Sequence, residues 1–260
     1  MPNQHKPLTV ITGGASGIGA ACVRHHVQRG DTVIVLDLAS AWSEQKANAL
    51  GAHAFYDCDV QNDQRVRELA DLIEVEHGPV DNLITSAGIL QRKLPPEQLP
   101  MEHWDAVTNI DLRGVYLSCA VFGSKMALRG SGAIVNIASV TSFRSTPLHA
   151  YGPAKAAVAA LTMSLAAEWG RSGVRVNAVA PGFTLTEAMQ SAIDRGDRDP
   201  TELAEPSAMN RLVMPDEVAD GIGFLLSDAA RAITGIIMPI DAGWLCGSHW
   251  GTWGGMQGPR

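Results

Sequence analysis

Short apolar runs alternate with longer amphipathic stretches along almost the whole chain. The short runs are rich in β-branched residues and mostly continuous in apolar character, which is typical of strands that are buried on both faces of a parallel sheet. They predict seven strands, at residues 8–11, 32–36, 52–56, 82–86, 133–138, 175–180 and 236–240. The stretches between them predict helices at residues 17–29, 61–76, 101–128, 151–171 and 215–227.

Seven strands joined by right-handed helical crossovers predict an α/β fold, a Rossmann-type doubly wound parallel sheet, in a single domain covering residues 1–260. One polar segment, at about residues 184–213, interrupts the alternation after the sixth strand. Ligands of such folds bind beyond the carboxyl ends of the strands, so this insertion is a candidate substrate lid. Its composition fits an ordinary surface loop equally well.

Composition narrows the class of protein. A chain of 260 residues with 46% hydrophobic and 18% charged residues can bury one large core. The net charge of -7 and the lack of a dense Lys/Arg run disfavour nucleic-acid and anionic-membrane partners and favour a small-molecule substrate. With no signal-peptide or membrane-spanning pattern, we expect a soluble cytoplasmic protein. Four scattered cysteines predict reduced, inert core thiols, and the histidine spacing predicts no metal site.

A glycine-rich turn, Thr12-Gly-Gly-Ala-Ser-Gly-Ile-Gly19, joins the first strand to the first helix. Glycine lets the backbone approach a pyrophosphate, whose charge then meets free N–H groups at the helix N-terminus. Asp37 closes the second strand about twenty residues later, where a carboxylate accepts both ribose hydroxyls of an adenosine and repels the 2′-phosphate of NADP. The pattern therefore predicts NAD as the cofactor. A turn residue at the strand end is the alternative reading of Asp37.

A tyrosine and a lysine, Tyr151 and Lys155, are spaced four residues apart, twelve positions after Ser139. Residues at this spacing share one helical face, so the phenol and the ammonium can point into one pocket. The ammonium would favour the phenolate, which can exchange a proton with an alcohol or carbonyl. Taken alone, the pair fits an exposed helix face better than a catalytic site. The glycine turn, Asp37 and Ser139 in this order favour the catalytic interpretation.

The chain resembles the short-chain dehydrogenase/reductase family over nearly its full length, through Thr12 to Gly19, Ser139, Tyr151, Lys155 and Pro181-Gly182. The resemblance implies a nicotinamide-dependent oxidoreductase in which Tyr151 is the general acid/base. It further implies that Lys155 binds the nicotinamide ribose and that Ser139 holds the substrate oxygen. The cofactor site it implies comprises Gly13, Ser16, Gly17, Ile18, Gly19, Asp37, Asp59, Val60, Ala87, Gly88, Tyr151, Lys155, Pro181, Gly182, Thr184 and Thr186. Within this set, Asp59 either accepts from the adenine amino group or caps the next helix.

Two departures from the family pattern stand out. The fourth strand ends in Thr85-Ser86-Ala87-Gly88, where the family commonly has Asn-Asn-Ala-Gly. In addition, the family's helix-borne catalytic asparagine falls by register on Asp111, so the catalytic set becomes Ser139, Tyr151, Lys155 and Asp111. A carboxylate there would favour the ammonium form of Lys155. The alternative is that Asp111 is structural and that Asn109 or a water takes over.

The helix that carries Tyr151 is apolar or small around most of its circumference, which predicts burial on more than one face. Because the family commonly pairs this helix with a two-fold mate, we expect a homotetramer. Pro153 is tolerated if the helix starts close to Tyr151. The tail, residues 243–260, is rich in Trp and Gly, and we hypothesise that it packs across a subunit interface and walls a neighbour's active site.

The substrate is the least determined property. The residues expected to border its pocket are Val140, Thr141, Arg144, His149 and residues 183–186. The leading hypothesis is NAD-dependent oxidation of a secondary alcohol, such as a polyol, sugar or cyclic alcohol. The alternatives are a 3-oxoacyl-thioester ketoreductase of the same family and a non-catalytic NAD-binding regulator, against which the intact Ser139, Tyr151 and Lys155 argue.

Overall fold

The computed structural model describes residues 6–256 and contains one seven-stranded sheet in which all strands are parallel. The strands are β1 (Leu8–Thr12), β2 (Thr32–Asp37), β3 (Ala54–Asp57), β4 (Asn82–Thr85), β5 (Gly132–Ile137), β6 (Val174–Pro181) and β7 (Ile237–Ile240). Their order across the sheet is β3-β2-β1-β4-β5-β6-β7. The order reverses between β1 and β4, which is where ligands bind in doubly wound sheets.

Helices cover both faces of the sheet. They are α1 (Gly17–Arg29), α2 (Ala41–Ala49), α3 (Asp63–His77), α4 (Met101–Thr108), α5 (Val115–Arg129), α6 (Tyr151–Trp169), α7 (Glu187–Asp194), α8 (Pro200–Ala204), α9 (Pro215–Leu226) and α10 (Trp244–Gly247). Helices α3, α5 and α6 pack on one face, and α1 and α9 pack on the other. Neighbouring strand residues such as Val10 and Ile11 enter opposite cores because strand side chains alternate. The predicted doubly wound, seven-stranded single domain is confirmed.

The sequence prediction missed α2, the helix between β2 and β3, as well as the short helices α7, α8 and α10. Helix α2 is the longest of these. Its nine residues show almost no amphipathic pattern, so periodicity could not reveal it. The local signal was a capping box: the Ser40 side chain accepts from the Ser43 backbone N–H, and the Ser43 side chain accepts from Ser40 in return. The third strand also begins two residues later than predicted, at Ala54.

The single helix predicted at residues 101–128 was wrong. The structure has α4 and α5 separated by a π-helical segment, Asn109–Gly114. A π turn takes an extra residue, and such turns are frequent at functional sites. Here the wider turn places Asp111 fully inside the protein and leaves Gly114 against Val60, so close that a Cβ on the glycine would lie 2.7 Å from a Val60 methyl group.

The polar insertion at residues 184–213 is ordered as two short helices, α7 and α8, rather than as an extended loop. Thr184 and Val213, at the two ends of the insertion, form a parallel bridge. The Met209 N–H donates to the Ala242 carbonyl at 3.0 Å, which fastens the insertion to the segment after β7. The insertion is therefore hydrogen-bonded to the C-terminal part of the chain.

Three of the four cysteines match the prediction of inert core thiols. Burial raises the pKa of Cys22 and of Cys119 to about 12 and that of Cys58 to about 11, so these thiols stay protonated at neutral pH. Cys246 is exposed, so the prediction was wrong in placing it in the core. In residues 6–256, no helix combines the length and apolarity needed to cross a bilayer.

A buried carboxylate, Asp31, is expected to make stability depend on pH. It accepts from the Thr9 hydroxyl at 3.0 Å and lies 2.5 Å from Nδ1 of the buried His26. Burial disfavours its charge, but the bond and charge of His26 and the bond from Thr9 outweigh burial and lower the pKa of Asp31. Its stabilising contribution is therefore present above the ordinary carboxyl value of about 3.9 and is lost as the pH falls through the lower folded-state value.

Asp31→Asn should accordingly lower the free energy of unfolding at pH 7 by about 1–2 kcal/mol, measured by urea denaturation. The difference from the unsubstituted protein should shrink as the pH falls below about 4. Asp105→Asn, at an exposed position of α4, is the control and should change neither value. A difference that stayed constant between pH 7 and pH 3 would contradict the assigned role of the Asp31 charge.

Candidate active site

A cleft of about 560 Å³ opens at the carboxyl ends of β1, β2 and β4, where the strand order reverses. Most of the predicted site residues line it: Gly13, Ser16, Gly17, Ile18, Asp37, Asp59, Val60, Ala87, Gly88, Asp111, Tyr151, Lys155 and Thr186. The fold thus brings together residues that are far apart in the chain. Five others are not part of its lining: Gly19, Ser139, Pro181, Gly182 and Thr184.

The glycine turn has the close packing that its sequence predicts. Gly13 has a φ of +68°, and a Cβ there would lie 2.6 Å from the backbone of Ala87 on the β4 loop. A Cβ on Gly19 would lie 2.0 Å from the Gly13 carbonyl oxygen, which leaves no room for any side chain. Gly19 is therefore needed for tight packing within the turn and does not line the cleft, whereas Gly13 and Gly17 belong to the cleft surface.

The N-terminus of α1 is open toward the cleft and fits a phosphate group. Its N-cap, Ser16, is extended and makes no side-chain capping bond, and the first turn contains no acidic residue. Helix N-termini carry unpaired N–H groups and a partial positive charge, which suits them to bind anions. The uncapped N–H groups beside the glycine turn are therefore the natural site for the pyrophosphate of a dinucleotide.

Asp37 has a structural role as well as a place in the cleft. One carboxylate oxygen accepts from the Ala15 N–H of the glycine turn at 2.9 Å, and the other accepts from the Leu38 N–H at 2.8 Å. A carboxylate has about four acceptor positions, so both oxygens keep capacity for ribose hydroxyls. The two sequence interpretations of Asp37, turn residue and cleft residue, are therefore compatible.

The helix after β3 is capped by Asn62, whose side chain accepts from the Arg65 N–H at 3.0 Å. Asp59 instead accepts from the Gln61 N–H at 2.9 Å and lines the cleft. The interpretation of Asp59 as the helix cap was therefore wrong, and its position favours contact with the cofactor.

The unusual Thr85 at the end of β4 takes part in a buried hydrogen-bond chain. Its hydroxyl donates to Oδ1 of Asn136 on β5 at 2.7 Å, and the Asn136 amide donates to the Thr162 hydroxyl of α6 at 3.0 Å. All three side chains are buried. Hydroxyl and amide groups thus connect the strand ends to the helix that carries the catalytic pair, while the neighbouring Ser86 lines the cleft.

The predicted catalytic pair lies at the beginning of α6. Tyr151 is its first residue and Lys155 follows one turn later, so Pro153 falls in the first turn as predicted. The Lys155 ammonium is buried, donates to the Ile137 carbonyl at 3.0 Å and lies 5.5 Å from the centre of the Tyr151 ring. This places a fixed positive charge next to the phenol, which is the condition the proposed acid/base chemistry requires.

Asp111, and not Asn109, is the residue of the π-helical segment that contacts Lys155. Its Oδ2 atom lies 3.2 Å from the Lys155 ammonium, and its Oδ1 atom accepts from the Ile89 N–H at 2.9 Å. Both members of the ion pair are almost fully buried, whereas Asn109 is exposed. A carboxylate therefore pairs directly with Lys155 at the position where the family carries a neutral amide.

Ser139 follows β5 and is nearly buried. Its hydroxyl oxygen accepts from the Thr141 N–H at 3.2 Å, which caps the short 3-10 turn Val140–Ser142. In the same turn, the Ser142 hydroxyl donates to the Lys155 carbonyl at 2.8 Å. The turn after β5 is in this way attached to the first turn of α6, which holds Ser139 in a defined orientation.

The segment after β6 packs against the chain's last strand. A Cβ on Gly182 would lie 2.8 Å from the Asp241 Cα, so glycine is required for this approach. The Thr184 hydroxyl donates to the Gly182 carbonyl at 3.0 Å, and the Thr186 side chain caps α7 by accepting from the Met189 N–H at 3.3 Å. Thr186 also lines the cleft, so of these residues it is the one placed to contact a ligand.

Two features of the site escaped the sequence interpretation. Gln91, three residues after Gly88, is buried, and its side-chain oxygen accepts from the backbone N–H groups of Ala150 and Tyr151. Glu187, at the start of α7, lines the cleft and forms an ion pair with Lys46 of α2. Neither residue belongs to a motif, and their partners lie 59 or more residues away in the chain, so no local pattern could reveal them.

The residues expected to border a substrate are divided between two places. Thr141, Arg144 and His149 line a separate hollow of about 430 Å³ beside the start of α6. Phe183 packs edge-on against Trp244, with ring centres 5.9 Å apart. The first tryptophan of the tail therefore lies within its own chain, next to the segment after β6.

Known proteins resemble this chain closely in sequence and fold. A family model described as enoyl-(acyl carrier protein) reductase matches residues 13–245. The D-threitol dehydrogenase of Mycolicibacterium smegmatis is 38% identical over 242 residues, covering 91% of this chain and 92% of that protein. The chain belongs to the short-chain dehydrogenase/reductase family. The resemblance inferred from the glycine turn and the catalytic trio is thereby confirmed.

Two further proteins show the range of names among similar chains. The cis-4-hydroxycyclohexanecarboxylate dehydrogenase of Sinomonas cyclohexanicum is 38% identical over 242 residues, covering 91% of this chain and 96% of that one. A solved structure named ribose-5-phosphate isomerase, from Brucella melitensis 16M, is 44% identical with a TM-score of 0.94, covering 97% of this chain and 98% of that one. The chain is an oxidoreductase of this family that binds a nicotinamide dinucleotide.

Proposed function

We propose that this enzyme interconverts a secondary alcohol, such as a polyol, a sugar or a cyclic alcohol, and its ketone with NAD as the cofactor. The observation that carries the proposal is the Tyr151–Lys155 pair, which opens into the same cleft as the glycine turn and Asp37. The similarity to dehydrogenases of D-threitol and of a hydroxylated cyclohexane supports this class of substrate.

The chain's own residues account for binding and proton transfer. When bound, the nicotinamide supplies the hydride acceptor or donor of the reaction. The uncapped start of α1 binds the pyrophosphate, and Asp37 accepts from the ribose hydroxyls. Tyr151 takes the proton of the substrate hydroxyl, or returns it to the ketone, while the Lys155 ammonium stabilises the phenolate. Ser139 orients the substrate oxygen.

The charge of the cleft supports NAD over NADP. Its lining includes the acids Asp37, Asp59, Asp111 and Glu187, whereas Lys155 is the one basic residue of the lining in the part of the chain that the structure describes. Lys155 is already paired with Asp111, away from the Asp37 end. A 2′-phosphate next to Asp37 would therefore meet a carboxylate, and the cleft lining offers it no unpaired basic residue in residues 6–256.

Asp37→Asn should raise the ratio of kcat/KM for NADP to that for NAD by about tenfold or more, since each factor of ten corresponds to ~1.4 kcal/mol. The amide keeps an oxygen for a backbone N–H but removes the repelling charge. The matched control is Asp57→Asn, because Asp57 is the exposed partner of Asp37 in the β2–β3 register and does not line the cleft. An unchanged ratio in Asp37→Asn would contradict the role of the carboxylate in cofactor choice.

Reduction of NAD and of NADP, assayed at 340 nm against polyols, hydroxy acids and cyclic alcohols, tests the reaction directly. Turnover of a polyol or cyclic alcohol with NAD supports the proposal. Preference for NADPH and a 3-oxoacyl thioester would favour the ketoreductase alternative, and cofactor binding without turnover of any of these compounds would favour a non-catalytic regulator. Location in the cytoplasm stays a prediction from sequence.

The outward face of α6 supports the predicted homotetramer. Its exposed positions include Ala156, Ala160, Met163 and Ala167, which recur at helical spacing and are small or apolar. In the tail, Trp253 is 85% exposed in the single chain, although tryptophan strongly favours burial. We therefore expect a tetramer by light scattering, and a monomer would contradict this expectation.

The tail hypothesis is tested by truncation after Leu245. This variant keeps Trp244 on Phe183 but removes the exposed Trp250 and Trp253. If these tryptophans cover a neighbouring subunit's active site, the truncated enzyme should dissociate or show a higher KM for the alcohol. An unchanged oligomeric state together with unchanged kinetics would contradict the hypothesis.

A further inference from the structure

Gln91 is a buried polar residue that no catalytic motif contains. It lies in the loop after β4, and only 4% of its surface is exposed. Its Oε1 atom accepts two backbone hydrogen bonds, from Ala150 at 2.7 Å and from Tyr151 at 3.1 Å. The residue therefore contacts the first residue of α6, which is the proposed acid/base.

The start of α6 depends on this contact for its backbone hydrogen bonds. The N-cap residue, Ala150, has no side chain that can cap the helix. The Gly152 N–H donates to the Leu148 carbonyl at 2.9 Å, and Pro153 has no N–H to satisfy. The two remaining donors, of Ala150 and Tyr151, both bond to Gln91, so one distant side chain completes the N-terminus of the catalytic helix.

The same loop is attached to the other catalytic residue. Its Ile89 N–H donates to Asp111, whose second oxygen faces the Lys155 ammonium at 3.2 Å. Residues 89–91 therefore bind both ends of the first turn of α6, through Gln91 at Tyr151 and through Asp111 at Lys155. These contacts connect the backbone of Tyr151 to the residues that pair with the Lys155 ammonium.

We propose that Gln91 is a positioning residue, which through its Oε1 atom holds the Tyr151 backbone in register with Lys155. The inference rests on the proposed role of Tyr151 as acid/base. A helix terminus that loses its cap frays first at its end residues, and here the end residue is Tyr151. A misplacement of about 1 Å in a catalytic group can lower a rate on the order of 10²-fold.

An apolar residue at this position would leave the N–H groups of Ala150 and Tyr151 without an acceptor. The Nε2 atom of Gln91, in contrast, is buried with no hydrogen-bond partner in the described residues. An unpaired buried donor costs about 1–3 kcal/mol. The two hydrogen bonds accepted by Oε1 offset this cost. The functional group of Gln91 at this site is therefore its acceptor oxygen.

Two variants separate the acceptor from the rest of the side chain. Gln91→Met keeps the length but removes the acceptor, and Gln91→Glu keeps oxygens for both N–H groups. We expect Gln91→Met to lower kcat by about 10- to 100-fold with a cofactor Kd within about twofold of the unsubstituted enzyme, whereas Gln91→Glu keeps kcat within about fivefold. Gln98→Met, at an exposed position, is the control and should change neither value.

A Gln91→Met enzyme with lower thermal stability but kcat within about twofold would overturn the proposal, as would equal losses of kcat in the Met and Glu variants. Amide hydrogen exchange of the peptide spanning residues 148–155 is a readout that needs no turnover. Gln91→Met should exchange faster there than the unsubstituted protein, and Gln91→Glu should not. If Gln91→Met does not fold, Gln91→Asn, which is one methylene too short to reach both donors, takes its place in both measurements.

The two readouts also separate this inference from the proposed function. Failure of the unsubstituted enzyme to oxidise any alcohol of the panel would refute the proposed reaction, while the exchange measurement would still decide whether Gln91 caps α6. Unchanged exchange in an active Gln91→Met enzyme would refute the positioning role alone.

Discussion

Tyr151→Phe is expected to lower kcat for alcohol oxidation by about 10³-fold and to leave cofactor binding almost unchanged. A positioned general acid/base contributes about 10²- to 10⁴-fold to a rate, and phenylalanine retains the ring but cannot exchange a proton. Lys155, the proposed ribose ligand, is held independently, by the Ile137 carbonyl and Asp111, so its position should survive the change. Steady-state reduction of NAD, with a cofactor Kd from fluorescence titration, measures both quantities.

The matched control is Tyr116→Phe. Tyr116 lies on α5 and is 53% exposed, so loss of its hydroxyl should alter kcat by less than about twofold. Turnover in Tyr151→Phe within about tenfold of the unsubstituted rate would contradict the proposed mechanism. A large increase in cofactor Kd would instead show that the variant had disturbed the nucleotide site rather than proton transfer.

Asp111→Asn is expected to lower the free energy of unfolding by about 3 kcal/mol. Removing one member of a buried ion pair leaves the other charge uncompensated, which typically costs 3–5 kcal/mol. The asparagine oxygen can still accept from the Ile89 N–H, which places the expected loss at the lower end of that range. Urea denaturation at one fixed protein concentration measures the change, because an oligomer's stability depends on concentration.

A double-mutant cycle with Lys155→Met isolates the interaction between the two charges. If the 3.2 Å pair stabilises the fold, the double variant should be more stable than the sum of the two single losses predicts. Asp105→Asn, at an exposed position of α4, supplies the control for an Asp-to-Asn change without a buried partner. Additive losses would contradict a direct interaction.

The same variant tests the catalytic importance of the carboxylate. If Asp111 orients the Lys155 ammonium, Asp111→Asn should lower kcat and change the dependence of kcat on pH, while cofactor Kd stays within about twofold. Unchanged rates across the pH range would leave Asp111 a structural role only.

The strands and the main helices could be predicted because their signals are local. Continuous apolar runs such as that of β5 identify strands buried on both faces, and the amphipathic pattern of α3 identifies a helix packed on one face. Helix α2 lacks such a pattern, and the π turn at Asn109–Gly114 has no periodicity of its own. Both depend on what surrounds them in the folded chain.

The residues of the candidate site likewise fall into those that local motifs predicted and those that only the folded chain shows. Gly13, Gly17, Asp37, Tyr151 and Lys155 were identified because each occupies a motif position at a strand end or at the start of a helix, and the cleft contains all of them. The register also identified Asp111 as an acid near the lysine, but the direct contact between the two was not predictable. The role of Gln91 had no signal at all.

The amino-acid sequence alone determined the seven strands, the main helices packed on the sheet, the glycine turn, the acid at the end of β2 and the spacing of Tyr151 and Lys155, because these follow from neighbours within a few residues. The tertiary structure alone decided that Lys155 pairs with a buried carboxylate and that Gln91 completes the start of α6. Those contacts join residues 44 and 60 positions apart. They form only when the sheet brings the carboxyl ends of its strands together. These contacts then hold Tyr151 and Lys155 in one defined arrangement, which their spacing in the sequence could not specify.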